Sequence, residues 1–300
     1  VLYCEYDKGV GQSEWIARHF LFWRNGMHPE KEMEARTMGM SIYELVDVCQ
    51  SKKLKDGKKE IVKNVNMTVK KGEFICIMGP TGCGKSTLMR LLCGVDRYTD
   101  GILMYQDSEV KGGMNKHMLQ HIGVAYQSDN LFEWQTVKKN IENPINIFGL
   151  RKQMDVEERL NRMLELTGLK NYSDCYPREL SGGMRQRCAF ARALAHDPEV
   201  LLLDQPFGAL DAITRKILGI ELLKIWKEAT DKTVIMVTNS VVEALMLAQR
   251  VIVLSAAPAT VFTEVINLLS YEERIGDLAE NETFITLSEK LNALVHLKES

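Results

Sequence analysis

The sequence predicts an α/β fold, and three observations carry that expectation. Gly79-Pro80-Thr81-Gly82-Cys83-Gly84-Lys85-Ser86-Thr87 fits the phosphate-loop pattern G-x-x-x-x-G-K-[ST]. The apolar run Phe74-Ile75-Cys76-Ile77-Met78 precedes it and Leu88-Met89-Arg90-Leu91-Leu92 follows, so the loop sits between a buried strand and a helix. Two further unbroken apolar runs, Val200 to Asp204 and Thr233 to Thr238, have the look of central parallel strands.

The loop's residue types define its chemistry. Gly79, Gly82 and Gly84 let the backbone turn tightly and approach a phosphate chain. Their N–H groups, with those opening the next helix, converge on an anion. Lys85 brings a point charge to the outer phosphates, and Ser86 offers a hydroxyl to Mg²⁺. Cys83 lies at the helix N-terminus, where it is either a thiol made more acidic or a small residue tolerated in the loop.

The 300 residues are 45% hydrophobic and 26% charged, enough core for one large domain or two. A net charge of −2 gives no basic field, so nucleic acid is not an expected partner. No apolar run reaches a membrane span, because Val251 to Leu269 is interrupted by Ser255, Pro258, Thr260, Thr263 and Glu264. The chain opens on Val1 and shows no charged-then-apolar leader pattern. Seven cysteines form no C-x-x-C pair, which fits reduced thiols in a cytosolic setting.

In chain order, residues 1–40 read as an extension. Ser13 caps a predicted helix carrying Trp15, Ile16, Phe20, Phe22 and Trp23, which suits packing on the chain's own surface or contact with a membrane or membrane partner. Ile42 to Val48 alternates as a strand, Asp56-Gly57 marks a hairpin turn, and Ile61 to Val69 is the returning strand. Asp100-Gly101 turns into a strand over Ile102 to Tyr105, and Ile122 to Tyr126 is another, ending at Gln127. Thr136 to Ala195 is helical in pattern; Val156, Leu160, Met163, Leu164 and Leu166 share a face, and Gly168 stops that helix. Asp204 stands at the carboxyl end of its strand, where α/β sheets place ligands. Val251 to Leu254 is a last core strand, and 271–300 is a polar tail with a helix around Leu287 to Leu297.

Leu180-Ser181-Gly182-Gly183-Met184-Arg185-Gln186-Arg187, taken with the P-loop, resembles the signature of the ATP-binding-cassette (ABC) ATPases. The order of motifs over roughly residues 41–260 is similar as well: P-loop, Gln127, signature, Asp204, then Ala209-Leu210-Asp211 as the D-loop. Tyr176 to Leu180, Pro206 to Ala212 with Thr214-Arg215, and Leu254 to Pro258 resemble the nitrate/sulfonate/taurine importer class. The resemblance implies a P-loop NTPase core with a mixed sheet, an antiparallel β subdomain and an inserted helical subdomain near 128–195, within an ATPase domain at 41–270. It implies ATP on Gly79 through Thr87, with Mg²⁺ held by Ser86, Gln127 and, through water, Asp204. It also implies that Ser181, Gly182 and Gly183 hold the γ-phosphate of an opposite subunit's nucleotide in a two-fold pair, and that the D-loop Asp211 belongs to the nucleotide site. The implied partners are a second cassette in a homo- or heterodimer, transmembrane permease subunits and a substrate-binding protein, at the cytoplasmic face of a membrane. Asn130-Leu131-Phe132-Glu133-Trp134 is either part of the permease-docking groove or ordinary packing.

Three positions depart from the family's pattern. Gln205 stands where a catalytic Glu is expected, and an amide cannot take a proton. Asn239 stands where a His is expected to touch the γ-phosphate. No aromatic falls near Ser51 to Lys53 to stack on adenine, and Tyr43 lies too early, so preference for ATP over GTP stays open. Gln205 fits natural degeneration or a residue placed to trap the ATP-bound state; Asn239 and Ser240 favour degeneration. Low turnover is expected, in an importer subunit or in the inactive partner of a working cassette. A non-transport, nucleotide-gated binding module is the rival reading.

Overall fold

The computed structural model describes residues 41–54, 57–111, 113–114, 116–229 and 231–296. The predicted aromatic helix within 1–40 lies outside them.

Two sheets stack on one another. β1 (Ser41–Leu54) and β2 (Gly57–Lys70) form a long antiparallel hairpin running from Ser41↔Lys70 to Leu54↔Gly57. β4 (Asp100–Tyr105) pairs with β1, and β5 (Ser108–Glu109) with β4, giving the order β2-β1-β4-β5. The second sheet runs β10-β9-β3-β8-β7-β6, from β3 (Phe74–Met78), β6 (Ile122–Ala125), β7 (Val200–Asp204), β8 (Thr233–Val237), β9 (Arg250–Leu254) and β10 (Val261–Ile266). Its pairs are parallel apart from β9–β10. β3, β7 and β8 are buried at every position, which is why they read as unbroken apolar runs rather than alternating ones.

Alternation still sorts these strands into two cores. Ile75, Ile77, Leu202, Ile235 and Ile252 face the antiparallel sheet and α1 (Lys85–Leu92). Phe74, Cys76, Leu201, Leu203 and Met236 face the opposite layer. That layer contains α5 (Gly182–Leu194), α6 (Ala212–Glu228), α7 (Val241–Leu247) and the C-terminal α9 (Glu282–His296). α2 (Lys116–Gln120) precedes β6, and α8 (Tyr271–Ile275) precedes α9.

Between β6 and β7 the chain inserts α3 (Val137–Phe148), α4 (Val156–Leu166) and α5. Thr136 caps α3 and Gly149, at φ 74°, ends it. Asn140 is fully buried on α3; its amide donates to the carbonyls of Phe132, Gln135 and Thr136 and accepts from Phe132 N–H at 2.8 Å. One side chain thus shapes the loop 132–136 that leads into the helices.

Sequence patterning left several of the described elements unmarked, β10 and α6 among them. β10 is an edge strand of mixed exposure beside a run that reads as broken. α6 carries apolar residues around its whole girth: Ile213 and Ile217 are exposed while Leu218, Leu222 and Leu223 are buried, so no single face signals it. The C-terminal helix begins at Glu282, five residues before the predicted start near Leu287.

His196, just past α5, is buried beside the Phe148 ring at 5.2 Å. Burial pushes its imidazole down from 6.5 to about 4. The folded pKa lies below the unfolded one, so between these values the unfolded chain binds the extra proton and stability falls as pH drops. Lowering pH from about 7 to about 5 should cost about 2 kcal/mol through this group alone. His196→Leu should lose that share of the pH dependence in urea unfolding midpoints, and an unchanged slope would refute the assignment.

Candidate nucleotide site

Four strand ends meet at one edge. β3 leads into Gly79, β6 into Gln127, β7 into Asp204 and Gln205, and β8 into Thr238 and Asn239. Register aligns them: Ala125 pairs with Leu203, Asp204 with Val237, and Ile77 with Val237. Neighbouring parallel strands ending together place these residues outside the carboxyl edge of the sheet, where α/β folds bind ligands.

The loop after β3 needs glycine at Gly79, φ 154°, where a Cβ would lie 2.9 Å from the Leu254 carbonyl oxygen. Gly82 and Gly84 also have positive φ, 76° and 128°. Lys85 is buried, and its ammonium donates to the carbonyls of Gly79 at 2.7 Å and Pro80 at 2.9 Å. Burial lowers its pKa, against the opposing influence of Cys83 and Asp204. Thr81 and Gly82 are exposed at the loop tip, while Ser86 and Thr87 are half-buried in the first turn of α1. Cys83 is almost fully buried, and that burial pushes its thiol pKa up although Lys85 pulls the other way. The more acidic thiol considered from the sequence is therefore not what the fold makes.

Asp204 is buried, with Oδ1 lacking a hydrogen-bond partner. Burial raises its pKa, opposed by a hydrogen bond from Ser86 and by the charge of Lys85. An orphaned carboxylate oxygen beside a serine hydroxyl fits a small hard cation, and Gln127, exposed just past β6, carries an amide oxygen on the same edge of the sheet. The described residues contain no group of three or more His, Cys, Asp or Glu suited to a metal; this donor set leaves the remaining positions to water and phosphate.

Gln205 is half-buried and left-handed, φ 48°, unusual for a side chain of its size. Its N–H donates to Val237 O at 2.9 Å and its carbonyl accepts from Gly208 N–H at 3.1 Å. Asn239 is exposed one residue past Thr238. Thr238 hydrogen-bonds Glu243, which is buried and paired with Arg215 at 3.4 Å; Arg215 also donates to Leu210 O at 3.0 Å. This chain of contacts joins the loop holding Asn239 to the residue before Asp211. The Arg215–Glu243 pair joins two separate helices, α6 and α7, so no local pattern in the sequence assigns it.

Ser181 is the N-cap of α5, its hydroxyl accepting from Met184 N–H at 3.3 Å, with Gly182 and Gly183 as the first helical residues. Exposed Ser181 and Gly182 leave backbone N–H groups and the positive end of the helix open to an anion. Asp211 caps α6 through Thr214 N–H at 3.0 Å, and hydrogen bonds from the Thr214 side chain and then its N–H lower the carboxyl pKa. A crevice of about 410 Å³ is lined by Gln127, Asp129, Gly182, Arg185, Gln186 and Ala209, and Arg185 pairs with Asp129 at 3.0 Å. Tyr43 is fully buried, its hydroxyl donating to Leu92 O at 3.0 Å, so it offers no face to a base.

A phosphate loop at the carboxyl edge of the parallel strands, with an aspartate on β7, the strand beyond β8, defines a P-loop nucleotide-binding protein of the ATPase class. The ABC transporter family pattern matches residues 62–208, and the chain belongs to the ATP-binding proteins of that family. It is similar to the nitrate import ATP-binding protein NrtD of Synechocystis sp., 39% identical over 252 residues, covering 82% of this chain and 92% of the relative. It is also similar to the aliphatic sulfonates import ATP-binding protein SsuB of Bacillus licheniformis, 42% identical over 205 residues, covering 68% and 76%. Among solved structures, a dimeric ATP-binding cassette in a post-hydrolysis state, bound to ADP and Pi, superposes with a TM-score of 0.68. That cassette is 32% identical, and the match covers 76% of this chain and all of the other.

Proposed function

We propose that this chain is the ATP-binding subunit of an importer for a small anion or nutrient such as nitrate, a sulfonate or taurine. The observation that carries the nucleotide part is the shared strand edge: Gly79 to Thr87, Gln127 and Asp204 open on one side of the sheet. The substrate class rests on the relatives named for nitrate and aliphatic sulfonate import, taurine being an aliphatic sulfonate.

In this reading the glycine loop and Lys85 hold the ATP phosphates, and Ser86, Asp204 and Gln127 hold Mg²⁺. The metal supplies charge neutralisation on the phosphates. Ser181, Gly182, Gly183 and Asp211 face the nucleotide of a second cassette. Gln205 and Asn239 orient water and phosphate by hydrogen bonds without taking up a proton, so turnover is slow. Residues 41–270 act as the ATPase domain at the cytoplasmic face of the membrane, beneath permease subunits served by a substrate-binding protein. Among the described residues no helix is long and apolar enough to cross a membrane. Trp134, 73% exposed and beside Phe132 at 5.4 Å, offers an apolar contact for a permease.

Gln205 and Asn239 also favour a second reading, a cassette paired with a catalytically complete partner whose site this chain's signature finishes. Affinity purification of the full chain from its native membranes tests the importer reading. A multispan membrane protein should co-purify, and Trp134→Asp should release it. Recovery of the chain with soluble proteins only would point to the non-transport binding module.

A further inference from the structure

We propose that Gln186 is a positioning residue that ties the signature helix to the turn carrying Gln205, and so couples the two composite nucleotide sites of a cassette pair; this rests on the paired-cassette reading above. Gln186 lies on α5 one turn after Gly183 and is 6% exposed. Its Nε2 donates to Gln205 O at 3.0 Å, and its Oε1 accepts from Ala209 N–H at 2.7 Å. One amide therefore clasps both ends of the 205–209 turn. A carbonyl at one end and an N–H at the other allow a single orientation of the amide.

The turn needs such a clasp. Gln205 holds a left-handed backbone, a conformation that persists only where the surroundings over-determine it. Its other backbone bonds come from β8 and from the turn itself, through Val237 and Gly208. Gln186 joins it from a separate layer. The same helix also meets the next segment: a Cβ on Gly183 would lie 3.3 Å from Leu210 Cδ2 and 3.5 Å from Ala209 O. In a cassette pair, residue 205 serves the nucleotide on this chain's own loop, whereas Ser181 to Gly183 serve the partner's. Any shift of the 205–209 turn must move Gln186 or break its bonds, and Gln186 carries the start of its helix with it. The coupling runs within one chain, from one site to the other.

The test uses the full chain and its Gln186→Met and Gln186→Glu variants. Met keeps the bulk and removes both bonds; Glu keeps the acceptor for Ala209 and sets a carboxylate against the Gln205 carbonyl. Binding of a fluorescent ATP analogue to the unpaired chain reads the P-loop alone. Sedimentation with ATP and Mg²⁺ reads pairing and its cooperativity, with circular dichroism checking the fold. Both variants should bind the analogue like the parent, need about tenfold more ATP to pair, and lose cooperativity between the two sites. The coupling is overturned if either folded variant pairs with the parent's ATP dependence and cooperativity, or if variants lose nucleotide binding and fold together. A parent that binds no ATP sinks the nucleotide reading and this inference with it; a parent that binds ATP yet never pairs sinks the coupling alone.

Discussion

Gln205→Glu is expected to raise steady-state ATP hydrolysis by about 10²–10⁴-fold, the usual worth of a positioned general base. The change swaps an amide nitrogen for an oxygen with no change in chain length. Val237, Gly208 and Gln186 hold residue 205 through its backbone N–H and carbonyl, bonds that a glutamate keeps, so it should take the same place. The effect should fall on kcat, with little change in KM, because a base acts on the attacking water and not on ground-state binding. Asn239→His should add to it only in combination, by offering a titratable donor one residue past Thr238. Turnover that stays low in the single and double variants would mean that the site is altered beyond these two positions. The chain would then act as an ATP-binding partner for a second, active cassette.

Lys85→Met should weaken ATP binding by about 10²-fold or more, read by calorimetry with ATP and Mg²⁺. The ammonium sits within 2.9 Å of two loop carbonyls and is shielded from solvent, which makes its charge count for more than a surface lysine's. A charge-assisted hydrogen bond is worth about 1.5–3 kcal/mol, and each 1.4 kcal/mol is about tenfold in affinity. Methionine preserves the buried stem and α1, so loss of fold should not confuse the result. A change of less than about threefold would show that the phosphates are held elsewhere.

Much of the candidate site was legible because its chemistry is local. The glycines that permit Gly79, Gly82 and Gly84 their backbone angles, the lysine and serine that follow, and the Ser181 and Asp211 caps all act over a few residues. Unbroken apolar runs revealed β3, β7 and β8 for the same reason: a strand buried on both faces has no polar positions. Legibility failed where a residue's role depends on something far along the chain. α6 hides because its exposed Ile213 and Ile217 blur its buried face, and Asn140 is buried by bonds to the 132–136 loop that no local pattern announces.

The sequence by itself determined the family's motifs, their order, and the residue types at Gln205 and Asn239, since these are matters of residue type at a spacing. Only the tertiary structure decided that Tyr43 and Cys83 are sealed in the core, that Asp204 keeps an oxygen without a partner, and that Gln186 grips the turn below Gln205. Those outcomes depend on strand register and on layers packing face to face, which bring together residues that no local pattern connects.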